Sequence, residues 1–368
     1  MNDLYNNLSL REKVGQLFFV GIAGPDLDEP TCELMQMIAP GGVCLFSRNI
    51  RDAEQTRELN DSIRQISAIP PFISLDQEGG TVDRLRRLIT PMAPAGSVRN
   101  AQEAGKMAEL IGEVISLLGF NMNFAPVVDV VDDRRSGSSN GLFTRPFGRS
   151  KESVVDLAGA FLEALQAQGP IGCLKHFPGL GAATVDSHEE LPIVEIGRDE
   201  FFDVDLYPYR ALFATGNVHA VMAAHASFPG IDLQETEQDG KLLPSSLSFN
   251  FLTKLLREEL GFKGLAITDD MEMGAVVKNY GIGEACKLAF AAGIDMFAIC
   301  AGRDAIIEGF EAILSAAESG EIPLERIDRS VERIGELKSK LKPEPAFDID
   351  RIDEISAEIA RFNAGLSA

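Results

Sequence analysis

The feature that most restricts this chain's choice of fold is a rhythm. Eight short apolar or β-branched runs recur along it, at 17–22, 42–46, 71–75, 123–130, 172–176, 220–225, 265–268 and 296–300. Between them lie segments in which apolar residues return every 3.6 positions. Runs that are apolar throughout, without in–out alternation, fit strands covered on both faces, as in a parallel sheet flanked by helices. The helical segments carry their own punctuation. One opens at Ser150 as an N-cap, places Val154, Leu157, Phe161, Leu162 and Leu165 on one face, and stops at Gly169. Another starts near Asn250, carries Phe251, Leu252, Leu255, Leu256 and Leu260, and stops at Gly261. Eight such units predict a single (β/α)8 TIM-type barrel with additional C-terminal helices. A doubly wound sheet is the main competitor. No dinucleotide-type glycine fingerprint follows the first run, and no Gly-x-x-x-x-Gly-Lys-[Ser/Thr] occurs.

The 368 residues divide into a barrel over 1–345 and a tail over 346–368, because Lys342-Pro343-Glu344-Pro345 breaks the last helical pattern. The tail is acidic and amphipathic over 348–362 and is expected to pack as a terminal helix. Two connections, 131–148 and 226–247, are too long for simple turns, and long loops in compact domains are commonly functional or mobile. With 34 basic and 56 acidic residues the net charge is −22, which argues against nucleic acid or an anionic membrane as a partner. Five cysteines, odd in number and without a Cys-x-x-Cys, read as reduced buried thiols. The first residues have neither the basic nor the apolar region of a secretory signal, and no apolar run approaches membrane-spanning length. The expected location is the cytoplasm.

In a barrel of this kind the active site is built at the C-terminal ends of the strands. The third run ends in Asp76-Gln77-Glu78-Gly79-Gly80, followed by Arg84. The fourth ends in Asp129 and Asp132, the fifth in Lys175-His176, the sixth in His225 and the seventh in Asp269-Asp270. Each has a plain structural alternative: a lone Asp at a strand end is often a helix N-cap, and His225 is at least as readily a buried structural histidine. Jointly they point to an enzyme. His176, His188 and His225 could in principle bind a metal, but Lys175 beside one and a glycine-rich loop carrying another suit a fixed coordination sphere poorly. Asp186-Ser187-His188 cannot fold back into an acyl-transfer triad. Retaining glycoside hydrolysis fits better. Asp269 is placed as the nucleophile, and Asp186 can fix the tautomer of His188 so that its other nitrogen protonates a leaving oxygen.

These segments resemble glycoside hydrolase family 3. The resemblance is carried by Asp76-Gln-Glu-Gly-Gly, Lys175-His-Phe-Pro-Gly, Asp186-Ser-His, Gly261-Phe-Lys-Gly-Leu-Ala-Ile-Thr-Asp269-Asp270-Met and the opening Leu8-Ser-Leu-Arg-Glu-Lys-Val-Gly-Gln-Leu. It runs from about Leu8 to about Leu341, and the branch most similar is the β-N-acetylglucosaminidases of the NagZ type. The resemblance implies a retaining exo-β-N-acetylglucosaminidase without a cofactor, releasing N-acetylglucosamine from cell-wall muropeptides during peptidoglycan recycling. It implies Asp269 as nucleophile, a His188/Asp186 acid/base dyad, and Asp76, Arg84, Arg145, Lys175 and His176 as contacts to the sugar hydroxyls. The alternatives are a β-glucosidase or xylosidase, a phosphorylase on the same barrel, or a non-catalytic sugar-binding barrel. The chain departs from many relatives at Leu180, where they carry His, and at Pro146, where Ser is common. It also stops before the second α/β domain of the family's β-glucosidases.

Overall fold

The computed structural model describes residue 5 and residues 7–136, 141–183 and 191–366. Eight parallel strands close into a barrel: β1 (Phe18–Gly21), β2 (Gly42–Cys44), β3 (Phe72–Leu75), β4 (Met122–Asn123), β5 (Ile171–Phe177), β6 (Ala220–Ala223), β7 (Leu265–Asp270) and β8 (Met296–Ile299). Each strand pairs with the next in sequence, and β8 returns to β1 through Phe18 opposite Phe297. The barrel and its strand count are those expected from the apolar rhythm.

Strand β1 shows why the runs do not alternate. Phe18 packs against Phe297 and Phe310, on the side covered by helix Arg303–Glu318. Its neighbour Phe19 points the other way, into the barrel, stacked on Phe72 and edge-on to Phe124. Both faces are apolar because both are covered. Gly42 makes room for this packing: a Cβ there would lie 2.2 Å from the Phe19 ring.

Strand β4 is much shorter than the 123–130 run. Pro126 has no N–H to give to a ladder, and beyond Asn123 the pairing survives as a single bridge, Val127 to Lys175. The helices follow the sequence more closely. Lys151–Ala167 begins on Ser150, whose side chain accepts the Ser153 N–H. Helix Asn250–Glu259 closes with π-type bonds, the last from the Leu260 N–H to Leu255. A terminal helix, Ile349–Leu366, buries Ile352, Ile355 and Ile359. Arg351 of this helix forks onto Glu113 of helix Ala101–Leu117, at 2.7 and 2.8 Å.

At the N-terminal end of the barrel two charged residues are fully enclosed. Asp295 is clamped by Arg257 at 2.6 Å and Arg333 at 2.9 Å, with the Ser330 hydroxyl donating at 2.7 Å. Lys338 has no carboxylate partner among the described residues; it donates to Gln16 at 2.8 Å and lies over the Phe72 ring. Among the described residues no helix is long and apolar enough to cross a membrane.

Candidate active site

Directly after β3 the chain doubles back in a small antiparallel hairpin, Gln77–Gly79 with Val82–Asp83. Gly79 and Gly80 make the turn at φ +93 and +60, and a Cβ on Gly79 would lie 2.4 Å from the Ala93 carbonyl. The buried Gln77 side chain locks the hairpin, donating to Asp83 at 2.9 Å and accepting the Arg84 N–H at 2.9 Å. The result brings Arg84, eight residues on, back to Asp76 at 3.0 Å.

Around this hairpin runs a continuous chain of polar contacts across the C-terminal mouth of the barrel. Lys175, on β5, reaches Asp76 at 2.8 Å and Glu78 at 2.6 Å. Glu78 is also gripped by Arg145, through Nε at 2.8 Å and Nη2 at 3.0 Å. Arg145 Nη2 lies 3.2 Å from His176 Nε2, and His176 Nδ1 lies 2.7 Å from Asp129. An arginine can only donate, so His176 Nε2 accepts and Nδ1 carries the proton that goes to Asp129. The other Asp129 oxygen accepts the Leu180 N–H at 2.6 Å.

The electrostatics are balanced within this chain. Three carboxylates (Asp76, Glu78, Asp129) face three cations (Arg84, Arg145, Lys175). Burial by itself would raise Asp76 and Glu78, but Lys175 with Arg84, and Lys175 with Arg145, outweigh it and hold both below the usual carboxylate range. Burial would likewise lower Lys175, and Asp76 and Glu78 reverse that, keeping it charged.

Asp76, Glu78, Arg84, Arg145, Lys175 and His176 line a pocket of about 160 Å³ together with Asp269, Asp270, Cys44 and Cys300. Its apolar wall includes Phe46, Phe124, Leu142, Leu180, Met222 and Met273. Asp269 stands at the end of β7, its Oδ1 accepting the Asp270 N–H at 2.9 Å. Among the described residues no lysine or arginine forms an ion pair with it. Burial pushes the adjacent Asp270 carboxyl up to about 7, opposed by the Glu272 N–H and reinforced by the Glu272 and Asp269 charges. Among the described residues no group of three or more His, Cys, Asp or Glu side chains is arranged to hold a metal ion.

The structure therefore brings Asp76, Arg84, Arg145, Lys175, His176 and Asp269 into one pocket. Asp186 and His188 lie outside the described residues. His225 serves the backbone: its Nε2 donates to the Asp270 carbonyl at 3.2 Å, its Nδ1 accepts from Ser246 at 2.6 Å, and burial lowers its pKa. Asp132 turns to Arg134 at 2.9 Å instead of joining the pocket. Two participants carried no assignment in the sequence. Glu78 was within reach, because a carboxylate two residues after Asp76 at a strand end is itself a polar signal. Asp129 was visible as a strand end, but nothing in the sequence ties it to His176. Leu180 acquires two jobs, a backbone N–H held by Asp129 and a buried side chain on the pocket wall.

The glycine-rich stretch after β5 is packed up to Ala183. Gly181 lies so close to Val130 that a Cβ would fall 2.0 Å from its carbonyl oxygen. The buried Arg135 braces this region, forked onto Asp205 at 2.8 and 2.9 Å and reaching Glu200 at 2.7 Å.

The model of the glycosyl hydrolase family 3 N-terminal domain matches residues 9–337. The chain is 32% identical over 330 residues to the β-hexosaminidase A of Pseudoalteromonas piscicida, covering 84% of this chain but 55% of that protein, so it spans about half of that relative's length. It is 35% identical over 294 residues to a Vibrio cholerae β-hexosaminidase, covering 79% of this chain and 84% of the relative. Among solved structures, a family 3 β-N-acetylglucosaminidase from Paenibacillus sp. FPU-7 superposes with a TM-score of 0.86 at 35% identity, covering 96% of this chain and 69% of that one. With that match over most of its length, and a barrel mouth built from the same strand-end residues that carried the resemblance, the chain belongs to glycosyl hydrolase family 3 and is a glycosidase.

Proposed function

We propose that this protein is a retaining exo-β-N-acetylglucosaminidase in which Asp269 is the nucleophile and the His188/Asp186 pair the acid/base. The observation that carries the reading is the contrast between Asp269 and the carboxylates around it. Asp76 and Glu78 are neutralised by buried cations, whereas Asp269 lines the same pocket with a single N–H oriented onto it and no ion pair among the described residues. A carboxylate free of a counter-ion keeps its lone pairs for attack.

In the first step Asp269 bonds to the anomeric carbon while the glycosidic C–O bond breaks, and His188 gives its proton to the departing oxygen. In the second step His188 takes a proton from water, the water oxygen bonds to the same carbon, and the ester to Asp269 breaks. Asp76, Arg84, Arg145, Lys175 and His176 hold the hydroxyls of the terminal sugar, with carboxylates accepting and cations donating. Residues 1–345 form the catalytic unit and 346–368 a tail packed on it. The name of the Paenibacillus relative supports N-acetylglucosamine as the sugar removed. We take the natural substrate to be a cell-wall muropeptide recycled in the cytoplasm.

Kinetics of Asp269→Ala and His188→Ala on an aryl β-N-acetylglucosaminide test the mechanism. Asp269→Ala is expected to lose activity by about a thousandfold or more. His188→Ala is expected to lose most on poor leaving groups, which depend on protonation. Near-normal turnover by Asp269→Ala would overturn the assignment. Mass spectrometry of a muropeptide digest tests the substrate, with loss of one N-acetylglucosamine per product as the expected result.

A further inference from the structure

The loop that delivers Arg145 to the pocket carries a residue that neither the fold nor the sugar contacts account for. Residues 142–145 form a β-turn, closed by the Arg145 N–H donating to the Leu142 carbonyl at 2.8 Å. The turn is pinned from outside by the Gly96 N–H, which donates to the Thr144 carbonyl at 2.9 Å. Phe143 occupies its first central position with φ +46. That is the left-handed region, where a side chain with a Cβ is disfavoured and glycine is the usual occupant of such turns.

Phe143 is also the most exposed large hydrophobic residue among those described, at 75%. Two unfavourable choices coincide here. A phenylalanine sits where glycine would relax the backbone, and its ring is left in water where a polar residue would cost nothing. The residues on either side of this turn, Leu142 and Arg145, line the pocket. A strained, solvent-facing aromatic in a turn whose two end residues line a site is the pattern of a residue kept for a ligand.

We infer that Phe143 is a platform for the group on the leaving side of the scissile bond, and that the group it fits is a second sugar ring. The reading rests on the N-acetylglucosaminidase function proposed above. The charge balance inside the pocket leaves the terminal sugar to hydrogen bonds. An exposed ring offers an apolar face on which the C–H face of a pyranose can stack. Phe143 thereby selects for what the N-acetylglucosamine is attached to, without touching the terminal sugar itself.

The test compares two substrates in wild type and in Phe143→Ala, Phe143→Gly and Phe143→Trp. One is N,N′-diacetylchitobiose, with a sugar on the leaving side. The other is N-acetylglucosaminyl fluoride, whose leaving group has no ring. Phe143→Ala and Phe143→Gly are expected to lower kcat/KM on the disaccharide about fivefold or more, leave the fluoride within about twofold, and be rescued by tryptophan. Phe143→Gly should also unfold at a temperature no lower than wild type, which separates the binding role from a folding one. Equal losses on both substrates, or no loss on the disaccharide, would overturn the inference. If wild type cleaves neither substrate, the N-acetylglucosaminidase reading fails instead, so the two failures are distinct.

Discussion

Glu78 is the residue on which the barrel-mouth network turns, and Glu78→Gln is its most direct test. Its carboxylate is nearly sealed from water and sits 2.6 Å from Lys175 and 2.8 Å from Arg145. At an effective dielectric of about 20, each of these contacts is a gross attraction of about 6 kcal/mol. Most of that is offset by the cost of bringing the three groups out of water. What the substitution removes is the neutralising charge, leaving Lys175 buried with Asp76 alone and Arg145 buried with no carboxylate in direct contact among the described residues. Removing one member of a buried ion pair typically costs about 3–5 kcal/mol, because the partner stays behind uncompensated. Glutamine can keep one hydrogen bond, so we expect the lower end, about 3 kcal/mol, read as a drop in the urea midpoint at unchanged slope. A second substitution sharpens the test. Lys175→Met in the Glu78→Gln background restores charge balance and is expected to recover at least about 1 kcal/mol of that stability. Activity should not recover, since Lys175 is a proposed contact to the sugar. If Glu78→Gln costs under about 1 kcal/mol, or the two substitutions simply add, the network is not coupled and the reasoning fails.

Two further expectations follow from the same physical picture. In Asp129→Asn the amide has one acceptor oxygen for two donors, the Leu180 N–H and His176 Nδ1–H, so its NH2 must face one of them. We expect His176 to change tautomer, seen in 15N NMR, with kcat/KM lower by roughly tenfold or more; an unchanged tautomer would refute this. Lys338 is the case where pH acts on stability. Burial pushes its ammonium down to about 7, below the roughly 10.4 of an unfolded lysine. Between those values the unfolded chain binds the extra proton, so this group makes stability rise with pH across about 7 to 10 and costs stability below it. Lys338→Met is accordingly expected to raise the thermal midpoint at about pH 6, with the advantage shrinking towards pH 10; a constant offset at every pH would contradict the assignment.

How far the sequence reached depends on the range over which each property is decided. Strand number and order were legible because burial on both faces leaves an uninterrupted apolar run, as at Phe18 and Phe19. Strand β4 was overextended because the run stays apolar past Pro126, and hydropathy does not register the missing N–H that ends regular pairing there. Lys175 and His176 were legible as pocket residues because strand ends are where such barrels place chemistry. Their partners were not. Glu78 meets Arg145 across 67 residues and His176 meets Asp129 across 47, and no local pattern records contacts made only when the barrel closes. Leu180 illustrates the same limit, since its function is carried largely by its backbone N–H, which every residue but proline possesses.

The self-contained ion network also decides when conformational freedom is lost. Arg84, Arg145 and Lys175 are long side chains that would ordinarily sample many rotamers and be immobilised by the arriving ligand. Here Asp76 and Glu78 already hold them. Immobilising such a side chain costs about 0.5–1.5 kcal/mol, so three of them represent roughly 1.5–4.5 kcal/mol that is spent when the barrel folds and not when a sugar binds. A neutral ligand with few strong contacts of its own then meets a surface whose ordering is complete before it arrives.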